Sequence, residues 1–209
     1  MRILELFSGT SSFGNVFLSR GHDVRTLDID SVHGPTYCMD IMDFDQSVLD
    51  GWMPDVIWAS PDCSAFSVAS ISTHWGGGKK AYVPKTDKAI SSINNLQKTI
   101  DIINELKPKY WFIENPVGVM RKMDILRPFH RKTVTYCQYG DVRMKPTDIW
   151  TNCLQWTPRE RCKNGDPCHI SAPRGSKTGT QGLKGKIKRS IIPEELCLEI
   201  YEVIIEGLK

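Results

Sequence analysis

The 209-residue sequence contains no apolar run that approaches the roughly 20 residues needed to cross a bilayer. Its first residues also lack the order of basic region, apolar core and small-residue cleavage site that characterises a signal peptide. These absences argue against a membrane or secreted protein and predict a cytoplasmic one. In that compartment the seven cysteines should stay reduced and available for catalysis or metal binding.

Charge of one sign dominates only one part of the chain. The net charge is +3, yet nine Lys and Arg residues between Pro158 and Arg189 stand against only Glu160 and Asp166. This segment therefore carries +7 and the rest of the chain −4. It is either a solvated basic loop or a phosphate-contacting surface, because cations that neutralise phosphates release counterions and so favour binding.

Short β-like segments alternate with helical patterns, which predicts a parallel sheet with helices on both faces. The strands are predicted at Arg2–Phe7, Asp23–Asp28, Asp55–Ala59, Tyr110–Ile113, Thr133–Gln138 and Asp148–Trp150. Helices are predicted over Asp87–Leu106, with Thr86 as its cap, and over Pro193–Gly207. Two glycine- and lysine-rich stretches, Ser70–Pro84 and Arg159–Lys186, are predicted to be loops without regular elements.

A turn of small residues follows the first predicted strand and favours a ligand at the sheet edge, since it brings backbone N–H groups close together there. Many α/β proteins have such a turn for packing alone. The second strand ends at Asp28, whose carboxylate could accept both hydroxyls of a ribose or simply face solvent. Asp40 and Ile41 could hold an adenine amino group and cover a ring face. Together these features favour a nucleoside ligand.

A cysteine and a glutamate end two other predicted strands. Cys63 follows the strand Asp55–Ala59 and precedes a glycine-bearing loop, a position suited to a nucleophile under a lid. Taken alone, an intracellular cysteine is more often an inert apolar residue. Glu114 ends the strand Tyr110–Ile113, and burial there should raise its pKa toward the range of a proton donor.

Four motifs in this order resemble those of the cytosine-C5 DNA methyltransferases, and the whole string looks like the compact bacteriophage and prophage members. The motifs are Leu-Phe-Ser-Gly, Leu-Asp-Ile-Asp, Ser-Pro-Asp-Cys-Ser-Ala-Phe-Ser and Ile-Glu-Asn-Pro. The resemblance covers nearly the full chain. It implies a Rossmann-like, S-adenosylmethionine-dependent α/β sheet with helices on both faces and a small basic recognition lobe.

The resemblance also implies roles for single residues. Cys63 would add to C6 of a cytosine flipped from the duplex, and Glu114 would hydrogen-bond N3 and N4. S-adenosylmethionine would be bound by Phe7, Ser8, Gly9, Thr10, Ser11, Ser12, Asp28, Ile29, Asp40, Ile41, Ser60 and Ser190. DNA would be contacted by Ser67, Ser70, Lys79, Lys80, Arg174, Lys177 and Lys184.

The chain departs from the family pattern in three respects. Asp62 occupies the place of the proline that usually precedes the cysteine, and its carboxylate would raise the thiol pKa unless it pairs with a cation. The usual Gln-x-Arg-x-Arg motif is absent, so either Arg143 or Lys145 would be the cation near the cytosine. The large recognition domain is missing as well.

The chain is therefore divided into a cofactor-binding and catalytic core (1–150), a basic lobe for target recognition (151–189) and a C-terminal helix that returns to the core (190–209). Within the lobe, Cys153, Cys162, Cys168 and His169 could bind zinc, although their irregular spacing favours free thiols.

We expect a monomer that acts on double-stranded DNA in the cytoplasm of a bacterial or phage-infected host cell. The alternatives are an RNA cytosine-C5 methyltransferase and a non-catalytic DNA-binding relative. The joint presence of Cys63 and Glu114 argues against the second alternative, since a binding module needs neither.

Overall fold

The computed structural model describes residues 1–78, 81–171 and 185–208. Its strands are β1 (Arg2–Leu6), β2 (Asp23–Asp28), β3 (Tyr37–Cys38), β4 (Val56–Ala59), β5 (Trp75–Gly76), β6 (Val83–Pro84), β7 (Tyr110–Pro116), β8 (Arg131–Thr135) and β9 (Pro146–Thr151). Its helices are α1 (Ser12–Leu18), α2 (Ile71–His74), α3 (Asp87–Leu106), α4 (Lys186–Ser190) and α5 (Glu194–Glu206). The two long helices were both predicted from their apolar spacing, α3 to the residue.

Seven strands form one central sheet in the order β3-β2-β1-β4-β7-β9-β8. The first five are parallel, but β9 pairs antiparallel with both β7 and β8. The sheet was predicted to be parallel, and β9 is the strand whose direction departs from that prediction. The antiparallel register has a consequence for the site: Pro116, at the end of β7, pairs with Thr147, so the start of β9 reaches the same edge as the ends of the parallel strands.

Helices cover both faces of the sheet because the central strands are apolar on both sides. In β4, Ile57 and Ala59 belong to one buried cluster with α3, and Val56 and Trp58 belong to a second one with α1 and α5. This alternation is the two-residue period of a strand. On the second face the ring of Phe13 stacks on Trp58 at a centroid distance of 4.3 Å. The sheet edge is thus held between two apolar layers.

One predicted strand and one predicted loop differ clearly from the structure. The strand predicted over Thr133–Gln138 ends at Thr135, where the chain enters a 3-10 helix, Tyr136–Tyr139, that is closed by Gly140 with φ 82°. The loop predicted over Ser70–Pro84 contains α2 and the small hairpin of β5 and β6. Trp75 anchors this hairpin, because its indole N–H donates to the Ala65 carbonyl at 2.7 Å and its ring is buried. Local propensity could not reveal this tertiary contact.

Within the described ranges, no helix is long and apolar enough to span a membrane.

Candidate active site

The turn after β1 is the most strained backbone at the carboxyl edge of the sheet. Phe7, Gly9 and Ser11 have φ values of 55°, 48° and 54°, in the left-handed region that non-glycine residues rarely adopt. The N–H groups of Thr10 and Ser12 have no acceptor in the described chain. A side chain at Gly9 would meet no atom within 4 Å. Open space therefore lies above a turn whose backbone can still donate hydrogen bonds.

Acidic residues fasten this turn from two directions. The Asp28 carboxylate accepts from the Gly9 N–H at 2.8 Å and from the Asp30 N–H at 2.9 Å. Glu5, buried in β1, accepts from the Phe13 and Gly14 N–H groups at the start of α1. Burial raises the pKa of Glu5 to about 8 despite these two donors. The sequence prediction missed Glu5, although an acid inside the apolar strand Ile-Leu-Glu-Leu was the signal.

The remaining predicted cofactor residues differ in their accessibility. Ile29 is 69% exposed beside the turn, so it can pack on a ligand, whereas Ile41 is 3% exposed and belongs to the core. The predicted role of the Ile41 side chain as a ring cover is therefore not supported. Asp40 caps a 3-10 turn by accepting from the Met42 N–H at 2.9 Å. The Ser190 hydroxyl donates to the Ile187 carbonyl.

The 190–192 segment nevertheless returns to the turn. The Ile192 N–H donates to the Ser12 hydroxyl at 3.3 Å, which in turn lies 3.0 Å from the Thr10 hydroxyl. This contact joins the end of the chain to the glycine turn across 180 residues of sequence.

Cys63 lies in the loop after β4 and is half-buried. Burial, the Glu114 carboxyl and Asp62 raise the pKa of its thiol, and Lys145 opposes them. The Asp62 carboxylate accepts from the hydroxyl and N–H of Ser64 and pairs with Lys88 at 3.3 Å. Burial of Asp62 is outweighed by these partners, so its own pKa is lowered. Asp62 therefore raises the pKa of the Cys63 thiol, as predicted, but by less than burial and the Glu114 carboxyl do.

Glu114 points from β7 toward the same edge. Its carboxyl accepts from the Tyr136 hydroxyl at 3.0 Å and hydrogen-bonds the Ser60 hydroxyl. Burial raises its pKa, as the sequence predicted, although Lys145 and the two hydroxyls oppose the rise. Ser60 thus contacts the Glu114 carboxyl rather than the glycine turn.

Lys145, rather than Arg143, lies near these two groups. It shifts the pKa values of both Cys63 and Glu114, and its ammonium donates to the Arg189 carbonyl at 2.9 Å. Arg143 is buried and bonded to Asp141 and to the carbonyls of Lys188, Arg189 and Ile191. Arg143 therefore holds the segment before α5 in place. Of the two cations that the sequence left open, Lys145 is the one that lies near Cys63 and Glu114.

Asn115 is a further residue of the site that the sequence analysis did not single out. Its amide donates to the Pro61 carbonyl at 3.0 Å, which ties the Cys63 loop to β7. Its side-chain oxygen is buried and has no partner. The orientation of an amide across two strands cannot be inferred from sequence.

Comparison with known proteins gives one clear relative. The chain is 32% identical over 218 residues to a protein of Frog virus 3 (isolate Goorha) that is named "Probable DNA (cytosine-5)-methyltransferase", and the match covers 95% of this chain and all of the relative.

The chain belongs to the DNA (cytosine-5)-methyltransferase family. No protein-family model matches it.

Solved structures of methyltransferases share the fold. An Escherichia coli prophage protein described as a DNA modification methyltransferase superposes with a TM-score of 0.52 at 15% identity over 72% of this chain. The Entamoeba histolytica methyltransferase EhMeth gives 0.53 at 12% identity over 78%. The chain spans only 46% and 57% of these two proteins. The match of this cytosine-5 methyltransferase family member to each of the two proteins thus takes in about half of that protein.

Of the seven residues predicted to contact DNA in this methyltransferase, the structure describes two, Ser67 and Ser70. Lys79, Lys80, Arg174, Lys177 and Lys184 lie outside the described residues. The Ser70 hydroxyl donates within its own loop, to the carbonyls of Ser64, Ala65 and Ser67, so it holds the loop after Cys63 together. Ser67 accepts from the Ala69 N–H at 3.3 Å and is half-buried.

Of the four candidate zinc ligands predicted for this family member, one was wrong. Cys153 is fully buried in the second apolar cluster, whereas Cys162, Cys168 and His169 converge on Cys137. Cys137 was counted as part of a predicted strand, and only the 3-10 turn after β8 brings its thiol to the lobe.

Proposed function

We propose that this chain transfers a methyl group from S-adenosylmethionine to C5 of cytosine in DNA, with Cys63 as the nucleophile. The observation that supports the proposal best is the convergence of Cys63, Glu114 and Lys145 at one sheet edge. A thiol, a buried acid and a cation are the groups that conjugate addition to a pyrimidine ring requires.

Cys63 begins the reaction by forming a bond from its sulfur to C6 of cytosine. The thiol proton leaves to solvent first, and the positive charge of Lys145 favours the thiolate. Addition makes C5 a carbon nucleophile. Once C5 carries the methyl group, its proton passes to solvent and the electron pair of that C–H bond re-forms the C5–C6 double bond. The bond between C6 and sulfur breaks at the same time, and its electron pair returns to sulfur, which restores the Cys63 thiolate and the aromatic ring.

Glu114 holds the base during these steps. Because its pKa is raised, its carboxyl can retain a proton and donate a hydrogen bond to N3, where negative charge develops on attack. Its other oxygen can accept from the N4 amino group. The hydroxyls of Tyr136 and Ser60 keep the carboxyl aimed at this position.

The glycine turn fits S-adenosylmethionine, which would supply an electrophilic methyl group. The unpaired N–H groups of Thr10 and Ser12 and the open space at Gly9 suit the amino acid part of such a ligand. Asp28 has lone pairs beyond those used by Gly9 and Asp30, so it can also accept from a ribose hydroxyl. Ile29 would lie on the adenine.

The target base must leave its duplex to reach the half-buried thiol of Cys63. The hairpin of β5 and β6, which follows the Cys63 loop, is suited to cover the flipped base, and the basic lobe supplies positive charge for phosphates.

Transfer of tritiated methyl groups to matched DNA and RNA oligonucleotides tests the proposal. We expect label in duplex DNA only, recovered as 5-methylcytosine after digestion to nucleosides. Label in RNA alone, or in another base, would contradict it. Cofactor binding without transfer to any duplex would favour the non-catalytic alternative.

A further inference from the structure

Four metal-binding side chains converge on a point outside the active site. They are Cys137, in the 3-10 helix after β8, and Cys162, Cys168 and His169, in the basic lobe. One ligand atom from each lies within 4.8 Å of all the others. Cys137 and Cys162 are only 8% and 9% exposed, and His169 is half-buried.

The separations match those of a tetrahedral site. Ligands bound at about 2.3 Å for Zn–S and about 2.0–2.1 Å for Zn–N lie about 3.5–3.8 Å from one another. The Cys168 sulfur lies 3.6 Å from that of Cys137, and the Nδ1 atom of His169 lies 3.5 Å from Cys168 and 3.7 Å from Cys162. The sulfurs of Cys137 and Cys162, at 3.0 Å, must move apart to reach this separation, and the two remaining pairs of ligand atoms lie within 4.8 Å.

Hydrogen bonding explains little of this arrangement. Thiols are weak donors and acceptors, and they are the neighbours of His169 Nδ1. The other ring nitrogen of His169, Nε2, is buried and has no hydrogen-bond partner among the described residues. A partly buried imidazole held among three thiols is poorly satisfied unless its Nδ1 lone pair binds a metal ion.

We propose that Cys137, Cys162, Cys168 and His169 bind one structural Zn²⁺ that fastens the basic lobe to the catalytic core. Three thiolates and one imidazole form a known zinc ligand set, and soft sulfur donors disfavour magnesium and calcium. All four ligands come from the protein, which closes the coordination sphere and indicates a structural rather than a catalytic ion.

The lobe needs such an ion because it buries so little. From Lys163 to Ser171 no residue is buried, and the described part of the lobe between the end of β9 at Thr151 and Gly185 has no helix or strand. A segment of this size cannot order itself by apolar burial, and metal binding supplies that free energy in small domains. The adjacent pair Cys168 and His169 would anchor its outer end.

The ion would also support the active site. Cys137 follows Tyr136, the residue whose hydroxyl donates to Glu114. A bond from zinc to Cys137 would therefore fix both the lobe and the turn that aims the catalytic carboxyl. This inference concerns metal binding and does not depend on the identity of the methylated nucleic acid.

Elemental analysis of full-length, tag-free protein purified without chelators tests the proposal. We expect about one zinc per chain. C137S should weaken zinc binding by at least about 10-fold, a scale reached even by substitutions outside the ligand shell. C38S, at an exposed cysteine away from the cluster, should retain zinc, and C153A should as well.

Replacement of the metal by cobalt tests the wild-type protein directly, so the result does not depend on whether a variant folds. Wild-type protein reconstituted with Co²⁺ should show the strong visible bands of tetrahedral coordination and charge transfer from thiolate. Chelation of the native metal should lower the melting temperature. Zinc below about a tenth of an equivalent together with no tetrahedral cobalt spectrum would overturn the proposal. So would loss of zinc in C153A but not in C137S, or a disulfide between Cys137 and Cys162.

Discussion

The proposed catalytic edge (Cys63, Glu114 and Lys145) and the described part of the basic lobe (151–171 and 185–189) are held in place by different forces. The edge lies at the ends of β4 and β7 and the start of β9, between two apolar layers that fix the strands. In the lobe, the buried anchors Cys153, Trp156 and Cys162 all precede Lys163, and polar contacts dominate beyond them.

The difference has a functional meaning. A nucleophile and an acid need fixed positions within a fraction of an ångström, and close-packed strands provide them. A surface that follows phosphates tolerates more movement, and a few strong bonds are enough to attach it. Substitutions at the edge should therefore affect catalysis, while substitutions in the lobe should affect stability and DNA affinity.

The largest effect is expected from C63S. Removal of the nucleophilic sulfur should lower turnover by more than about 10⁴-fold, because no other described group replaces the covalent route. Binding of S-adenosylmethionine, measured by calorimetry, should be unchanged, since Cys63 lies apart from the glycine turn. Retained turnover would show that the edge does not act through covalent addition.

E114Q should lower turnover by about 10²–10³-fold, the scale for removal of one group that stabilises developing charge. The pKa of Glu114 is raised, so wild-type activity should fall as the pH rises through that pKa and the proton is lost. The glutamine variant should lack this fall. E105Q, at an exposed position of α3, is the control, and an equal loss in both variants would contradict the assigned role.

K145M should lower turnover by about tenfold for each unit by which the thiol pKa rises, since Lys145 favours the thiolate. Titration of Cys63 with a thiol reagent should show the higher pKa directly. R143M should instead lower the melting temperature, because it frees a buried clamp on Asp141 and the 188–191 carbonyls. The reverse pattern would make Arg143 the cation of the site.

The smallest effect is expected from R159A in the lobe. Arg159 pairs with Glu195 and Glu199 of α5 and lies over the Tyr139 ring, but its side chain is 41% exposed. Its loss should lower the free energy of unfolding by about 1 kcal/mol, measured by urea denaturation. Turnover at saturating DNA should change little. A large loss of turnover would show that the lobe also shapes the catalytic edge.

Much of the core could be predicted because its signals are local. The apolar spacing of α3 and its cap at Thr86 are visible in the sequence and lie where they were expected, as does Asp28 at the end of β2. Cys63 follows β4 as predicted, but Glu114 lies inside β7, which continues to Pro116. A strand was predicted where β9 lies, but its antiparallel direction was missed, because strand direction depends on pairing over long sequence separations, as between Glu114 and Ile149. The hairpin around Trp75 was missed for the same reason.

Local patterns in the sequence are enough to assign Cys63 to the loop after β4, Glu114 to β7 and the glycine turn to the end of β1, and so to predict that they share one edge. Which cation lies near them and which cysteines converge depend on the tertiary structure. Lys145 reaches the edge because β9 runs antiparallel, and Cys137 meets the lobe because a 3-10 turn ends β8 early. Both depend on contacts between residues distant in the chain, which no local pattern encodes.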